Sequence, residues 1–450
     1  MRADVVVIGA GVSGLSLAYH LHRLGVKDMV LVEADSRLGG KLRTVSEKGF
    51  LVETGPNGFL DSKPYVLELS SLLGMEDRLY PSNDNARRRF LLRKDRLLEL
   101  PASPLSFFAS SVVSWRAKLR LFAEPFIPPG EAEDETVYSF VKRRLGSEFA
   151  EVLIDPMVAG IYAGDAKALS VKSAFPSVWE LEKRHRSLIR GMLALRGKGG
   201  GPAGPSGRLV SFRGGVGDLV EALEGAVSSG VEVIRGCRAL SVKRSGMWVV
   251  ETEMGEFRAR AVAVCTPSFV AAGLLRWHPV SRSLEAIPYV PVTVVALAFK
   301  REDISHPLGG FGFLVPSCER RYILGCLWDS EVFPNRAPVG YVLLRVMMAG
   351  ARQPWISLMD ERCAVELALE ELSVPLGIRG TPDSVWVFNH PRGIPQYVLG
   401  HEKRVEEVES LEGEGLFFHC NAYRGVGFSD CVGGSVEKAK RIASLLGVSW

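Results

Sequence analysis

Cysteine is scarce and unorganised. Seven residues in 450 (Cys237, Cys265, Cys318, Cys326, Cys363, Cys420 and Cys431) form no Cys-x-x-Cys pair and have no histidine at ligand spacing. That pattern argues against a disulfide framework or a zinc site, and a reducing compartment is expected. Histidine is sparse too, eight residues widely dispersed, so neither a Ser-His-Asp arrangement nor any other metal cluster is expected. No excess of charge exists, since 55 Lys and Arg face 51 Asp and Glu for a net +4, far short of the basic footprint of a nucleic-acid-coating chain. Long apolar runs are absent: the best, such as Val290 to Phe299, have strand length and are bounded by proline or charge, which excludes a membrane span. The opening Met1-Arg2-Ala3-Asp4 leads straight into Val5 to Ile8, too short for a signal peptide, so a cytoplasmic protein with no cleavable targeting peptide is expected. What is present, 47% hydrophobic and 24% charged residues, is the composition of a folded globular chain, and at roughly 150 residues per domain the length suggests three units.

The strongest signal lies in the first forty residues. Val5 to Ile8 reads as a buried parallel strand, followed by Gly9-Ala10-Gly11-Val12-Ser13-Gly14 and a helix with Leu17, Leu21 and Leu24 on one face. A second strand, Met29 to Val32, ends in Glu33, nineteen positions after Gly14. This is the dinucleotide fingerprint in its proper context. Gly9 permits the tight turn, Gly11 lets backbone approach a pyrophosphate, Gly14 allows close helix-strand packing, and the helix N-terminus offers free amides to the phosphates. Glu33 would accept from both ribose hydroxyls and repel a 2′-phosphate, which disfavours NADP.

The next residues separate nicotinamide from flavin. Glu33-Ala34-Asp35-Ser36-Arg37-Leu38-Gly39-Gly40-Lys41 places a glycine pair and basic side chains directly after the ribose acid. It resembles the second nucleotide motif of the glutathione-reductase-like flavoproteins, especially their amine oxidase branch, which implies that Gly39 and Gly40 let the chain pass close to FAD and that Arg37 and Lys41 lie near its diphosphate and ribityl chain. At the other end, the strand Leu416 to Cys420 and a helix over Val432 to Leu446 bracket Asn421 to Asp430, a glycine-bearing turn whose amides suit the flavin edge where charge accumulates on reduction. Asp430 reads equally as a helix N-cap or a ribityl contact. Cys431 reads as a small core residue rather than an attachment point, so non-covalent FAD is expected.

Further blocks occur in order along nearly the whole chain: Gly55-Pro56-Asn57-Gly58-Phe59, Ala86 to Phe90, Ile154-Asp155-Pro156 with Gly160 to Asp165, Gly310 to Pro316, Pro395 to His401 and Gly425 to Val432. On these the sequence resembles the oxygen-dependent protoporphyrinogen oxidase family of haem and chlorophyll synthesis. The resemblance implies an α/β with α+β fold of three parts. A Rossmann-like FAD-binding unit of the glutathione-reductase and amine-oxidase type would be stitched from 1–80, 206–285 and 386–450. A mixed-sheet substrate unit would cover 286–385 and a helical membrane-associated unit 81–195, with 196–207 a flexible Gly/Pro linker. It also implies cofactor contacts at Gly55, Pro56, Asn57, Gly58, Ala239, Val426, Gly427, Phe428 and Asp430. For the substrate it implies apolar walls from Phe311, Leu314 and Met348, a propionate contact at Arg89 shared with Asn57, and close approach of backbone at Gly160.

The implied reaction is six-electron oxidation of protoporphyrinogen IX by O2 with release of H2O2. Flavin N5 would accept hydride and no protein side chain would act as an essential base. Residues 81–200 hold 20 Lys and Arg against 14 Asp and Glu, a net +6 that leaves −2 for the rest. The same stretch carries Leu105 to Trp115 followed by Arg116, Lys118 and Arg120, which reads either as a core helix with a solvated basic face or as an anchor on an anionic membrane surface. The family's habit puts the anchor first. A homodimer is compatible with the pattern. Two positions depart from the family: Asn57 stands where some members have Arg, and Glu402 where others have Trp. Two rivals remain open, a coproporphyrinogen oxidase on the same scaffold and a non-catalytic Rab GDP-dissociation-inhibitor-like binder.

Overall fold

The computed structural model describes residues 1–196 and 207–448. Apart from its two ends, the linker expected at 196–207 lies outside them.

Strands buried on both faces carry near-continuous Val, Ile and Leu, and the first sheet follows that rule. Arg2–Ile8 runs parallel to Met29–Val32 on one side and to Gly255–Val264 on the other. Glu232–Ile234 extends the sheet beyond Met29–Val32, and Leu416–Phe418 pairs in parallel with the second half of Gly255–Val264. Met247–Thr252 and Ala239–Ser245 continue it as an antiparallel meander. Alternation along Arg2–Ile8 sends Val5 and Val7 into a core with helices Val12–Arg23, Gly217–Ser228 and Phe428–Leu446, and Val6 and Ile8 into a second core with Ser268–Leu274 and His401–Glu409.

A second sheet orders its strands Ser384–Pro395, Tyr289–Lys300, Tyr341–Ala349, Ile323–Trp328, Gly312–Leu314, Phe90–Arg93 and Arg96–Glu99. Helix Glu361–Leu376 covers one face, over Val295, Leu297, Val346 and Met348. Two expected boundaries shift here. Residues 90–99, expected in the helical unit, form a hairpin at the sheet edge, because Lys94 and Asp95 both adopt the positive φ (48° and 59°) of a tight two-residue turn. Ser384–Pro395, most of it expected in the nucleotide unit, pairs along its length with Tyr289–Lys300.

From Pro104 to Arg196 the chain is helical. Its interior holds a charge cluster in which Arg144, fully buried, pairs with Glu124 and Glu182. Helix Trp115–Ala123 buries Ala117 and Lys118 and exposes Arg116, Leu119, Arg120 and Phe122. Lys118 is 1% exposed, its ammonium donating to the carbonyls of Phe108 (2.8 Å) and Ser110 (2.5 Å) and lying 4.5 Å from the Trp115 ring, while Leu119 and Phe122 are 62% and 63% exposed. The solvated basic face expected here is therefore incomplete: Lys118 points inward and the apolar residues point out. Among the described residues no helix is long and apolar enough to cross a membrane.

Candidate active site

The first glycine loop has the shape a dinucleotide needs. Gly9 has φ +97°, and a Cβ on Gly14 would stand 1.9 Å from the Gly9 carbonyl oxygen, so only glycine fits there. A Cβ on Gly11 would instead meet nothing within 4 Å, which leaves free space directly before the helix that Gly11 caps. No side chain caps that helix and no acid sits in its first turn, so the amides of Val12, Ser13 and Gly14 and the positive dipole end stand uncompensated. Glu33 folds across the loop, its carboxylate accepting from the amides of Ala10 (2.6 Å) and Asp35 (2.9 Å), with Ala34 exposed beside it.

The second glycine pair lies on the first loop. The Gly39 amide donates to the Ala10 carbonyl at 2.8 Å, and a Cβ on Gly40 would be 3.3 Å from the Gly11 Cα. Arg37 holds this turn by donating to the carbonyls of Leu38 (2.9 Å) and Gly40. Lys41 donates to the carbonyls of Arg392 (2.9 Å) and Gly393, and burial lowers its pKa to about 8. Ala239 begins a strand tied to this end of the sheet, because the Cys237 amide donates to the Glu33 carbonyl at 2.9 Å.

Gly55-Pro56-Asn57-Gly58 turns over Lys41, whose carbonyl is 3.2 Å from where a Gly55 Cβ would be, and Gly58 packs on the Val210 carbonyl. From the C-terminal side, Gly427 caps helix Phe428–Leu446, with Val426 half-buried before it and the Phe428 ring 6.0 Å from that of Phe59. The helix starts four residues earlier than the periodicity suggests, so Asp430 is not its N-cap. It sits in the first turn and pairs with Lys63 at 2.5 Å. Cys431 is buried, and burial pushes its thiol up to about 11.

Among the described residues, the buried polar atoms without a partner include Asn57 Nδ2, Thr266 Oγ1 and Ser429 Oγ on these loops. Thr266 touches the Gly9 turn, with its Cγ2 3.0 Å from the place of a Gly9 Cβ. Unsatisfied buried donors beside open space are what a polar, phosphate-bearing cofactor would satisfy. The residues therefore fit FAD, with Thr266 and Ser429 added to those the sequence singles out. A hydroxyl after a strand and another after a helix cap carry no spacing signature, which is why sequence reasoning misses them.

Of the expected substrate-side residues, Leu314 and Met348 lie on strands of the second sheet, Arg89 and Phe311 immediately before its strands, Gly160 on the helix Asp155–Tyr162 and Asn57 in the turn described above. Leu314 is half-buried and pairs across to Leu91 and Gly325, and a Cβ on Gly160 would be 3.0 Å from its Cδ2. The register carries the row from Leu314 through Gly325, Met347 and Val294 to Phe388. Met348 is not in that row. It is fully buried on the opposite face against helix Glu361–Leu376, and Met347 is the residue of that strand in the row. A one-residue step in a strand reverses the face, and Tyr341 to Ala349 is so uniformly apolar that only Arg345, two before Met347, marks which side is which.

Arg89 is exposed at the surface, its guanidinium lies 5.4 Å over the Phe311 ring without a carboxylate partner among the described residues, and desolvation on the ring side lowers its pKa. Other arginines of this sheet are committed, Arg88 to Glu99 at 2.7 Å, Arg93 to Glu319 at 2.9 Å, Arg352 to Asp155 at 2.7 Å and Arg345 to Asp329 at 2.8 Å, whereas Arg87 beside Arg89 is exposed. Glu402, the departure near Gly400, pairs with Lys172 at 2.6 Å. His401 stacks on Tyr397 with ring centroids 4.1 Å apart, and His419 lies between the Cys431 carbonyl and Ser435, so burial lowers each to about 4 and both stay neutral.

The model of the flavin-containing amine oxidoreductases matches residues 12–446. The chain belongs to that family. As a flavin-containing amine oxidoreductase it is an oxidoreductase whose cofactor is FAD. This removes the non-catalytic binder from consideration. Among family relatives, coproporphyrinogen III oxidase of Bacillus subtilis (strain 168) is 30% identical over 453 residues, covering 96% of each chain. Human protoporphyrinogen oxidase is 34% identical over 471 residues, again covering 96% of each. A solved structure from Exiguobacterium sp. 255-15 has TM-score 0.84 at 25% identity over 98% of both chains. Putrescine oxidase, at 14% identity and TM-score 0.68, shares the fold alone.

Proposed function

We propose that this chain oxidises protoporphyrinogen IX to protoporphyrin IX, with O2 as final acceptor and H2O2 as its product. The two relatives above are named for porphyrinogens, and the wall fits such a substrate: a broad apolar row from Leu314 to Phe388 with no charge within it. The observation that carries the choice of porphyrinogen is Arg89. It is the arginine of this wall left without a carboxylate, so it suits a macrocycle whose propionates leave from one side. Bound FAD supplies the two-electron acceptor and is held without a covalent bond, in line with the protonated, buried Cys431. The chain's part is to bind and orient: Arg89 takes the carboxylates, Leu314 and Met347 exclude water from the ring, and Gly160 leaves room at its edge. The proposal needs no side chain as base.

Coproporphyrinogen III is the second reading, favoured by the Bacillus relative and by Arg87, which is exposed near Arg89. Anaerobic mixing of the yellow protein with each porphyrinogen separates the two. The true substrate bleaches the flavin faster, and colour returns with H2O2 when O2 is admitted. If neither bleaches it, the reading fails.

The same proposal includes peripheral attachment to an anionic membrane. Trp115, Leu119, Phe122 and Phe126 are exposed at helical spacing beside exposed Arg116 and Arg120. Each large apolar side chain left in water forgoes about 1.5–3 kcal/mol of burial, so an apolar phase is the favourable partner. Exchanging both Leu119 and Phe122 for Asp is expected to weaken co-sedimentation with phosphatidylglycerol vesicles by at least roughly tenfold without lowering solution turnover. Unchanged sedimentation would remove this part of the proposal.

A further inference from the structure

The strand Phe50–Glu53 runs out of its hairpin into the turn that carries Asn57, and the last backbone carbonyls before that turn are all held from the second sheet. Arg345 donates to the carbonyls of Glu53 (3.2 Å) and Gly55, and His390 Nε2 donates to the carbonyl of Thr54 at 2.8 Å. A carbonyl can only accept, so His390 is fixed as the tautomer protonated on Nε2. The Glu53 side chain is tied the other way, into the nucleotide-binding unit, accepting from the Val216 amide (3.0 Å) and Thr44 Oγ1 (2.7 Å), with Arg336 at 3.3 Å. Arg345 is 1% exposed and Asp329 neutralises it. Burying an arginine to grip main-chain oxygens is costly where a hydrophobic residue would pack as well, so it is expected where position matters more than stability.

Beyond the gripped carbonyls the chain continues into Pro56 and then Asn57, whose amide nitrogen is buried and unpartnered beside the glycine loops. We propose that Arg345 and His390 are positioning residues that fix the Glu53–Gly55 backbone and thereby aim the Asn57 amide at the flavin, linking the substrate sheet to the cofactor through one short segment. The inference rests on FAD as cofactor and not on the identity of the porphyrinogen, so it stands or falls separately from the substrate proposal.

The test uses purified full-length protein and FAD alone. His390→Leu removes the donor, whereas His390→Gln keeps a neutral N–H at the same reach. His390→Leu is expected to weaken FAD binding about tenfold, read by fluorescence titration of the apoprotein, and to make the midpoint potential of the saturated flavin more negative. His390→Gln is expected to restore both. Arg345→Lys keeps the charge beside Asp329 but loses the fork, and moves both readouts in the same direction as His390→Leu. A purely structural role would lower the thermal midpoint of the apoprotein and leave the potential of bound flavin alone. That result, a His390→Gln protein as impaired as His390→Leu, or a His390→Leu protein that does not fold while His390→Gln does, overturns the inference.

Discussion

If Arg89 takes the propionates as proposed, its exchange for methionine is expected to raise the KM for the porphyrinogen roughly tenfold and leave kcat within a few-fold, because a charge-assisted contact at a largely exposed arginine is worth about 1.5 kcal/mol and lies far from the reacting carbon. Such a contact binds ground state and transition state alike, which is why the loss falls on KM. Arg88→Met is the control. Its guanidinium is already matched by Glu99 at 2.7 Å, exposed on the surface, and its removal is expected to cost little. Steady-state kinetics of both variants decide the matter, and an Arg88 variant as impaired as the Arg89 variant would move the carboxylate site elsewhere.

Gly14 and Gly11 are expected to fail in different ways although both belong to one motif. A methyl group on Gly14 collides with the Gly9 carbonyl at 1.9 Å, so Gly14→Ala must displace the strand-to-helix turn itself. That protein should be destabilised and colourless, with no recovery of flavin absorption on adding FAD. A methyl group on Gly11 meets only open space in the protein, so Gly11→Ala should keep the apoprotein's thermal midpoint and still lose FAD affinity by at least about tenfold, the methyl now occupying room the pyrophosphate requires. If Gly11→Ala binds FAD normally, the space before that helix is not the phosphate site.

Much of this is legible because local constraints write themselves into sequence. The strand, glycine loop, helix and acid of the first forty residues are each a short-range requirement, and all appear in the fold where spacing puts them. Long-range relations leave weaker marks. Met348 is implied by resemblance alone, and the strand's own residues cannot correct it to Met347, because with apolar residues on both faces the strand has no visible alternation. The hairpin at Lys94 and Asp95 is hidden because neither residue is the glycine or asparagine that usually announces positive φ. Lys118 looks like surface charge because nothing in its own helix shows that carbonyls from the preceding segment wait to solvate it. Arg345 and His390 are invisible for the same reason, since their partners are main-chain oxygens hundreds of residues away, and main-chain oxygens have no sequence.

The pairing of Leu416–Phe418 with Gly255–Val264 has a consequence for how the molecule is made. The helix that follows the turn out of Leu416–Phe418 reaches the glycine loop, Ser435 Oγ donating to the Ser13 carbonyl at 3.3 Å, so both walls of the cofactor site exist together only once residue 435 has been synthesised. During translation the first strand and its loop wait for hundreds of residues with their amides unanswered. A ribosome that stops before that helix releases a chain with half a cofactor site, so retained yellow colour reports that synthesis passed it.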